Sequence, residues 1–143
     1  MPKAVLESTV LVSAFLRFIP GGASHELIRF AAEGLFELCL CEEIPAETEQ
    51  ALVRSKPSKR LYSYSDENVL EYCSALNQFA TIVTDLPNIK LVRDPADDKI
   101  VACALAADAA YIVTRDKDLL SLGEHEGIEM ITPERFLHLL RQR

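Results

Sequence analysis

Acidic residues form two groups in the sequence "LVRDPADDKIVACALAADAAYIVTRDKDLL". Asp94, Asp97 and Asp98 precede an alanine-rich apolar segment, and Asp116 and Asp118 follow it. Carboxylates that share a cleft raise one another's pKa values and destabilise the fold unless a cation neutralises them. Mg²⁺ and Mn²⁺ prefer oxygen ligands, and two such ions about 3.5–4 Å apart can hold a phosphodiester and generate hydroxide from water. The pattern therefore indicates a divalent-cation site that performs hydrolysis.

Some of these acids also have a purely structural explanation. Asp94 before Pro95 is a good helix N-cap, and Asp97 three residues later would complete a capping-box-like pair. Asp98 instead shares a face with the apolar residues three, four and seven positions further on, so it points inward. An acid on an inward face needs a partner, and we favour a metal ion for Asp98.

The second group raises the same question. Asp116 follows an apolar run and either caps the next short helix or binds the cation. Asp118, two residues later, either caps that helix or contacts the cation's ligands without binding the cation itself. Thr114 and either Ser8 or Thr9 would orient water or phosphate through their hydroxyls, although such residues more often bond to backbone.

Short apolar runs alternate with helical segments along the chain, which predicts an α/β domain with a mostly parallel sheet and helices on both faces. The predicted strands are Ala4–Leu6, 35–41, Ile89–Val92, Ala110–Thr114 and Ile128–Ile131. The predicted helices are 25–33 with Gly34 after its C-cap, 42–55, 65–83 after the N-cap Ser65, Pro95–Ala107, and one from Pro133 capped by Thr132. The segment 10–19 is either strand or buried helix, and the segments 20–24 and 55–65 are predicted loops.

Acids follow the other predicted strands as well. Glu7 follows the first strand, and Glu47 lies near the start of the helix after the second, beside its apolar stripe. Ligands bind at the carboxyl ends of strands in such sheets. Acids that are far apart in the sequence would therefore meet at one edge of the sheet.

The composition limits the class of protein. A chain of 143 residues fits a single domain, 1–143, and a formal net charge of −7 argues against nucleic-acid binding through bulk charge. One local segment is basic and aromatic, and we propose it as an RNA-contacting loop, a soluble surface loop being the alternative. Its cations are Arg54, Lys56, Lys59 and Arg60. The four cysteines form no zinc motif and predict buried, reduced thiols, and the chain shows neither a signal peptide nor a membrane span, which indicates a cytoplasmic protein.

Four motifs in a fixed order resemble one known family. They are a strand-end acid followed by "STVLVSAFL", then "EEIPAETEQAL", then "RDPADDKIVACALAADAAYIVTRDKDLL", then "ITPERFL". This order resembles the PIN-domain family, in particular the toxin components of toxin–antitoxin systems. The resemblance implies a three-layer α/β/α sandwich with a central, mostly parallel five-stranded sheet. It also implies a Mg²⁺- or Mn²⁺-dependent endoribonuclease that leaves a 5′-phosphate and a 3′-hydroxyl, an antitoxin partner and a homodimer.

The resemblance also assigns site residues. The family's four acids fall on Glu7, Glu47, Asp98 and Asp116. Asp97 is the close rival of Asp98, and Asp118 matches an often-present extra acid. The family's hydroxyl or amide near the first acid falls on Thr9, and its strand-end threonine falls on Thr114.

The first acid departs from the family pattern. Glu7 stands where the family usually has aspartate, and Thr9 where it often has asparagine. Glutamate keeps the charge but reaches one methylene further, whereas catalytic groups must be placed within about 0.5 Å. The alternative reading is therefore a catalytically weakened module that binds RNA or a protein partner.

Overall fold

The structure is a computed structural model that describes residues 1–16 and 22–143, without the side chain of Lys56. The strands within this part are β1 (Lys3–Leu6), β2 (Glu37–Cys41), β3 (Thr81–Val83), β4 (Tyr111–Val113), β5 (Glu124–His125) and β6 (Ile128–Ile131). The helices are α1 (Ser8–Leu16), α2 (Ala23–Ala32), α3 (Glu43–Arg54), α4 (Lys56–Tyr62), α5 (Asp66–Phe79), α6 (Pro95–Ala107), α7 (Lys117–Leu122) and α8 (Pro133–Arg141).

The strands form one sheet in the order β3-β2-β1-β4-β6-β5. All neighbouring pairs are parallel except β5 and β6. Residues Ala4, Val5 and Leu6 of the central strand have no exposed surface, because helices cover both faces of the sheet. The predicted three-layer α/β fold is confirmed, with six strands in this part of the chain instead of five.

The additional strand is a short hairpin at the sheet edge. His125 pairs with Ile128 across a two-residue turn, and both turn residues, Glu126 and Gly127, have positive φ angles of 49° and 83°. Two positive φ angles are the geometry of a tight hairpin turn whose twist matches the flanking strands. Glutamate seldom adopts that conformation, so the residue types at this turn are a weak signal for a hairpin.

The third predicted strand is wrong. The strand is Thr81–Val83 and pairs with β2, while residues 89–92 form no strand. The helix predicted to run to residue 83 therefore ends at Phe79, where Ala80 becomes extended. Thr81 and Ile82 are exposed, so this edge strand lacks the buried apolar pattern on which the prediction relies. The more apolar run, Ile89–Val92, packs against the core as irregular chain.

The basic segment, predicted as a loop, is helical. Helix α4 begins at the N-cap Ser55, whose hydroxyl accepts a hydrogen bond from the Ser58 backbone N–H at 3.3 Å, with proline in the first turn. It ends at Ser63, which has a left-handed φ of 50°. The ambiguous segment 10–19 is helical up to Leu16, and the rest lies outside the described residues. Within the predicted loop 20–24, residues 23 and 24 belong to α2, and residues 20 and 21 also lie outside the described part.

Two apolar clusters connect the layers. The larger surrounds the sheet, and the smaller joins α1, α3 and α5 through Phe15, Leu52, Tyr64, Val69 and Cys73. The Tyr64 hydroxyl donates to the Leu52 carbonyl at 2.6 Å. The Tyr72 hydroxyl donates to the Leu11 carbonyl at 2.7 Å. These contacts fix α1 and α3, the helices that begin beside Glu7 and carry Glu47.

Several smaller expectations concern burial. All four cysteines are free and buried, as predicted. The apolar stripes of the predicted helices 42–55 and 65–83 include Ala51 and Leu70 and predict that both face inward. Both residues are exposed, because the helices that carry them bury narrower faces than the apolar pattern suggests. None of the helices in residues 1–16 and 22–143 combines the length and apolarity that crossing a membrane requires.

Helix α2 is followed by Gly34, whose left-handed backbone conformation can be tested by substitution. Leu35 N–H donates to the Phe30 carbonyl and Gly34 N–H to the Ala31 carbonyl, at 2.9 and 3.0 Å, and Gly34 has a φ of 78°. A Cβ on Gly34 would meet nothing within 4 Å, so Gly34→Ala would cost only the left-handed conformation.

We expect Gly34→Ala to lower the unfolding free energy by about 1 kcal/mol and Tm by roughly 2–4 °C. Gly34→Asn should lose less, because asparagine tolerates this conformation. Thermal unfolding followed by circular dichroism measures both. An alanine variant as stable as the wild type would contradict the account of this helix end.

Candidate active site

Glu7 joins the central strand to the first helix. Its backbone N–H donates to the Val113 carbonyl at 3.1 Å, which continues the β1–β4 pairing beyond Leu6. Its carbonyl accepts from the N–H groups of Val10 and Leu11 at 3.0 and 3.2 Å, which starts α1. The backbone of Glu7 is therefore fixed at the carboxyl edge of the sheet.

Two threonine hydroxyls hold the Glu7 side chain, which is buried. Thr9 donates to Glu7 Oε1 at 2.5 Å, and Thr114 donates to the same oxygen at 3.0 Å. The Thr114 hydroxyl also accepts from the Asp116 backbone N–H at 3.0 Å. A fully buried Thr114 thus connects Glu7 to the residue that caps α7.

Three acids from distant parts of the chain meet at this edge. Glu7, Asp97 and Asp116 each offer a carboxylate oxygen, and these oxygens lie within 4.8 Å of one another. Asp97 is in the first turn of α6 and is 5% exposed. Asp116 is the N-cap of α7, where its Oδ1 accepts from the Asp118 N–H at 2.9 Å. The meeting of strand-end acids that the sequence predicts is present for these residues.

Burial and mutual repulsion raise the pKa values of two of these acids. The pKa of Asp97 rises from 3.8 to about 7, chiefly through burial and then through the charge of Asp116. Asp94 and Glu7 add smaller repulsions. The pKa of Glu7 is also raised by burial, against the lowering effect of the hydrogen bonds from Thr9 and Thr114.

The donor set fits a divalent cation. In the described part of the chain, no lysine, arginine or histidine forms an ion pair with Glu7, Asp97 or Asp116. Three adjacent carboxylates without a cationic side chain are neutralised either by protons or by a metal ion. All-oxygen ligands match Mg²⁺ and Mn²⁺.

Asp98, which the sequence favours as a ligand, has a different partner. It is buried, as predicted. Its Oδ1, however, accepts backbone hydrogen bonds from Leu91 at 2.9 Å and Val92 at 2.7 Å, and Asp98 is not one of the three clustered acids. Asp97, the rival, occupies that place. One helical residue turns a side chain by about 100°, so the two aspartates face different neighbours.

The remaining predicted acids lie around this cluster. Glu47 is exposed on α3 and accepts a hydrogen bond from the Ser8 hydroxyl at 3.3 Å. Its charge is close enough to raise the pKa of Glu7. Asp118 is exposed, and Asp94 accepts from the Ala96 N–H at 2.9 Å, which is the capping role that the sequence offers for it.

The predicted RNA-contacting cations lie on α3 and α4. Arg54 and Arg60 are exposed, Lys59 forms an ion pair with Asp66, and the side chain of Lys56 is outside the described part. Arg54 is two helical turns from Glu47, or about 10 Å along the axis of α3. The basic segment thus begins at the C-terminal end of α3, whereas Glu47 lies in the first half of that helix.

The raised pKa of Asp97 predicts how stability depends on pH without metal. The folded state holds the Asp97 proton more tightly than the unfolded state, so its contribution to stability is present below about pH 4 and is lost as the pH rises towards 7. With a chelator at pH 8, Asp97→Asn should therefore be more stable than the wild type by on the order of 2 kcal/mol, or about 4–8 °C in Tm.

Thermal unfolding between pH 4 and pH 8 measures this difference. Asp108→Asn is the control, because Asp108 is exposed at the far end of α6 and asparagine also adopts its left-handed conformation. Parallel pH profiles for the wild type and Asp97→Asn would contradict the assignment of Asp97 to a repelling cluster.

Comparison with known proteins agrees with this geometry. A family model for the PIN domain matches residues 3–118, which include Glu7, Asp97 and Asp116. No curated protein matches the chain significantly. PIN domains are generally metal-dependent nucleases, and the acidic cluster is compatible with that chemistry. The match covers most of the chain and the fold is the one expected, so this chain belongs to the PIN-domain family.

Proposed function

We propose that this protein is a Mg²⁺- or Mn²⁺-dependent endoribonuclease and the toxin component of a toxin–antitoxin system. The observation that carries the proposal is the cluster of Glu7, Asp97 and Asp116, whose carboxylate oxygens lie within 4.8 Å. The family supports a nuclease, and the substrate and biological role are our inference. An antitoxin partner, a homodimer and a cytoplasmic location follow from the resemblance and from four free cysteines.

Each clustered acid has a role in this proposal. Glu7, Asp97 and Asp116 would hold the cation. A bound divalent ion would polarise the phosphodiester and lower the pKa of a water molecule beside it. Both threonine hydroxyls bond to Oε1 of Glu7, so Oε2 is the oxygen that faces no hydroxyl donor among the described residues.

Thr9 and Thr114 are positioning residues, because they fix the Glu7 carboxylate before a cation arrives. Thr114 also holds the backbone of Asp116, so one hydroxyl sets the distance between two ligands. We assign Glu47 and Asp118, which are exposed, to the solvent side of the centre, where a second cation would bind. Asp98 remains outside the ligand set.

The length of Glu7 is the point on which activity depends. Its longer side chain still places a carboxylate oxygen within 4.8 Å of Asp97 and Asp116. This supports a working enzyme over the weakened binding module. We retain Arg54, Lys56, Lys59 and Arg60 as candidate RNA contacts, since a chain with a net charge of −7 needs a local basic surface.

Cleavage of single-stranded RNA tests the catalytic proposal. We expect Mn²⁺-dependent cleavage by the wild type and a loss of at least about 100-fold in Asp116→Asn and in Glu7→Gln, which keep size but remove a ligand charge. Asparagine still caps α7, so the Asp116 variant should fold. The control is Asp94→Asn, which should cleave like the wild type. Equal rates in the wild type and Asp116→Asn would remove the active-site assignment.

Stabilisation by metal separates Asp97 from Asp98. An ion that binds only the folded state at a hundredfold excess over Kd stabilises by about 2.7 kcal/mol, or roughly 5–11 °C in Tm. Wild type and Asp98→Asn should show this shift with Mn²⁺, because the asparagine side-chain oxygen would still accept from Leu91 and Val92.

Asp97→Asn should show little or no shift. A shift lost in Asp98→Asn but kept in Asp97→Asn would reverse the assignment. No shift in the wild type would favour the module that binds RNA or a partner without catalysis.

A further inference from the structure

A cavity of about 700 Å³ lies at the same edge of the sheet as the acidic cluster. Its walls are the ends of β2 and β3, residues 84–93 and the first two turns of α6. This volume is within the roughly 300–1,000 Å³ of small-molecule sites. Asp98 lines the cavity, and its neighbour Asp97 belongs to the cluster, so the two features share the start of α6.

The cavity wall is held in place by Asp98. Residues 84–93 include no strand or helix, but Asp98 Oδ1 accepts from Leu91 and Val92, and the Leu86 and Ile89 side chains pack against the core. A buried carboxylate with two backbone donors fixes irregular chain that would otherwise lack hydrogen-bond partners. The cavity is therefore a preformed feature.

The lining combines three kinds of chemistry. The apolar part includes Val83, Leu86, Pro87, Ile89 and Ala102. The basic part is Lys90, Arg93 and Lys99, all exposed. The acidic part is Glu42, Glu43 and Asp85, in addition to Asp98. Apolar surface suits the face of a base, carboxylates accept from exocyclic amino groups, and cations bind phosphates.

The basic residues at the cavity are free to bind an external anion. Among the described residues, Lys90 and Arg93 form no ion pair, and Lys99 has only a longer-range attraction to Glu43. Three exposed cations around one opening offer contacts to an anion, while the four acids of the same lining leave it without a net positive charge. The individual exposed side chains of Lys90 and Arg93, and not the net charge of the lining, are therefore the candidate phosphate contacts.

We propose that this cavity is a base-binding subsite, which takes one unpaired nucleobase of an RNA strand while an adjoining phosphodiester lies at Glu7, Asp97 and Asp116. Lys90 and Arg93 contact the phosphates that flank the bound nucleotide, and Asp98 acts as a positioning residue for the wall. The inference rests on the proposed ribonuclease function and adds the place where the substrate is recognised. A peptide segment of a partner protein is the competing occupant.

The first test fills the cavity. Ala102 is buried and lines the cavity, so Ala102→Phe would place an aromatic ring in it. Binding is measured by fluorescence anisotropy with labelled single-stranded RNA and Mn²⁺, in an Asp116→Asn background that leaves the strand uncut. We expect affinity about tenfold weaker or more. An unchanged melting temperature shows that the variant is folded.

The second test changes the charge and leaves the cavity open. Lys90→Glu with Arg93→Glu should weaken binding about tenfold, whereas Arg141→Glu with Arg143→Glu, the same charge change at the end of α8, should have a much smaller effect. Comparison of the two double variants separates the effect of a local contact on RNA affinity from the effect of net charge. Equal losses in both pairs would overturn the assignment of phosphate contacts to Lys90 and Arg93.

A series of strands with one abasic position separates base insertion from charge. With the open cavity, one abasic position should weaken binding, and in Ala102→Phe the same change should add no further loss. If Ala102→Phe and the Lys90→Glu, Arg93→Glu double variant both bind RNA as tightly as the Asp116→Asn parent, the proposed subsite is wrong. The same result is expected if a partner-protein segment occupies the cavity. Wild-type cleavage that Asp116→Asn abolishes would then leave the ribonuclease proposal intact, whereas equal cleavage in those two proteins would remove that proposal.

Discussion

Repulsion among three clustered carboxylates is the constraint on which this structure depends. Glu7, Asp97 and Asp116 come from the end of β1, the start of α6 and the N-cap of α7, and no lysine or arginine in the described chain forms an ion pair with them. An apolar arrangement there would be more stable. The fold keeps the acids together because the β1–β4 pairing places Glu7 and Thr114 side by side, and the Thr114 hydroxyl bonds to both Glu7 and the Asp116 backbone.

Burial of these acids, together with their mutual repulsion, would couple proton release to cation binding. A pKa of about 7 for Asp97 means that a proton and a divalent ion compete for the cluster near neutral pH. Hydrogen bonds from Thr9 and Thr114 work the other way at Glu7, because they favour its charged form. The pKa values of Glu7 and Asp97 are nevertheless both raised, so a bound cation would favour the ionised form of each acid and release protons.

The sequence predicts the parts of the fold that have strong local signals. Helix α6 begins at Pro95 after the Asp94 cap and ends at Ala107, and strand β6 with its Thr132-capped helix is also located correctly. Apolar periodicity fails at β3, because a short edge strand with exposed side chains has no buried pattern to detect. It also fails at β5, which depends on the two turn residues and not on its own side chains.

The acidic cluster is predictable from the sequence to within one residue. Strand-end position is enough to identify Glu7 and Asp116, since parallel strands end at one edge. The choice between Asp97 and Asp98 requires the conformation of residues 84–93, whose backbone donors occupy Asp98. A strand at residues 89–92, as the apolar pattern predicts, would place those donors in the sheet. The error in secondary structure and the absence of Asp98 from the cluster thus have one cause.

Anomalous diffraction from crystals soaked in Mn²⁺ would test the central claim most directly. We expect a manganese peak within about 2.5 Å of carboxylate oxygens from Glu7, Asp97 and Asp116, with Asp98 still bonded to the Leu91 and Val92 backbone. A peak coordinated by Asp98 in place of Asp97, or no peak at this edge of the sheet at saturating Mn²⁺, would contradict it.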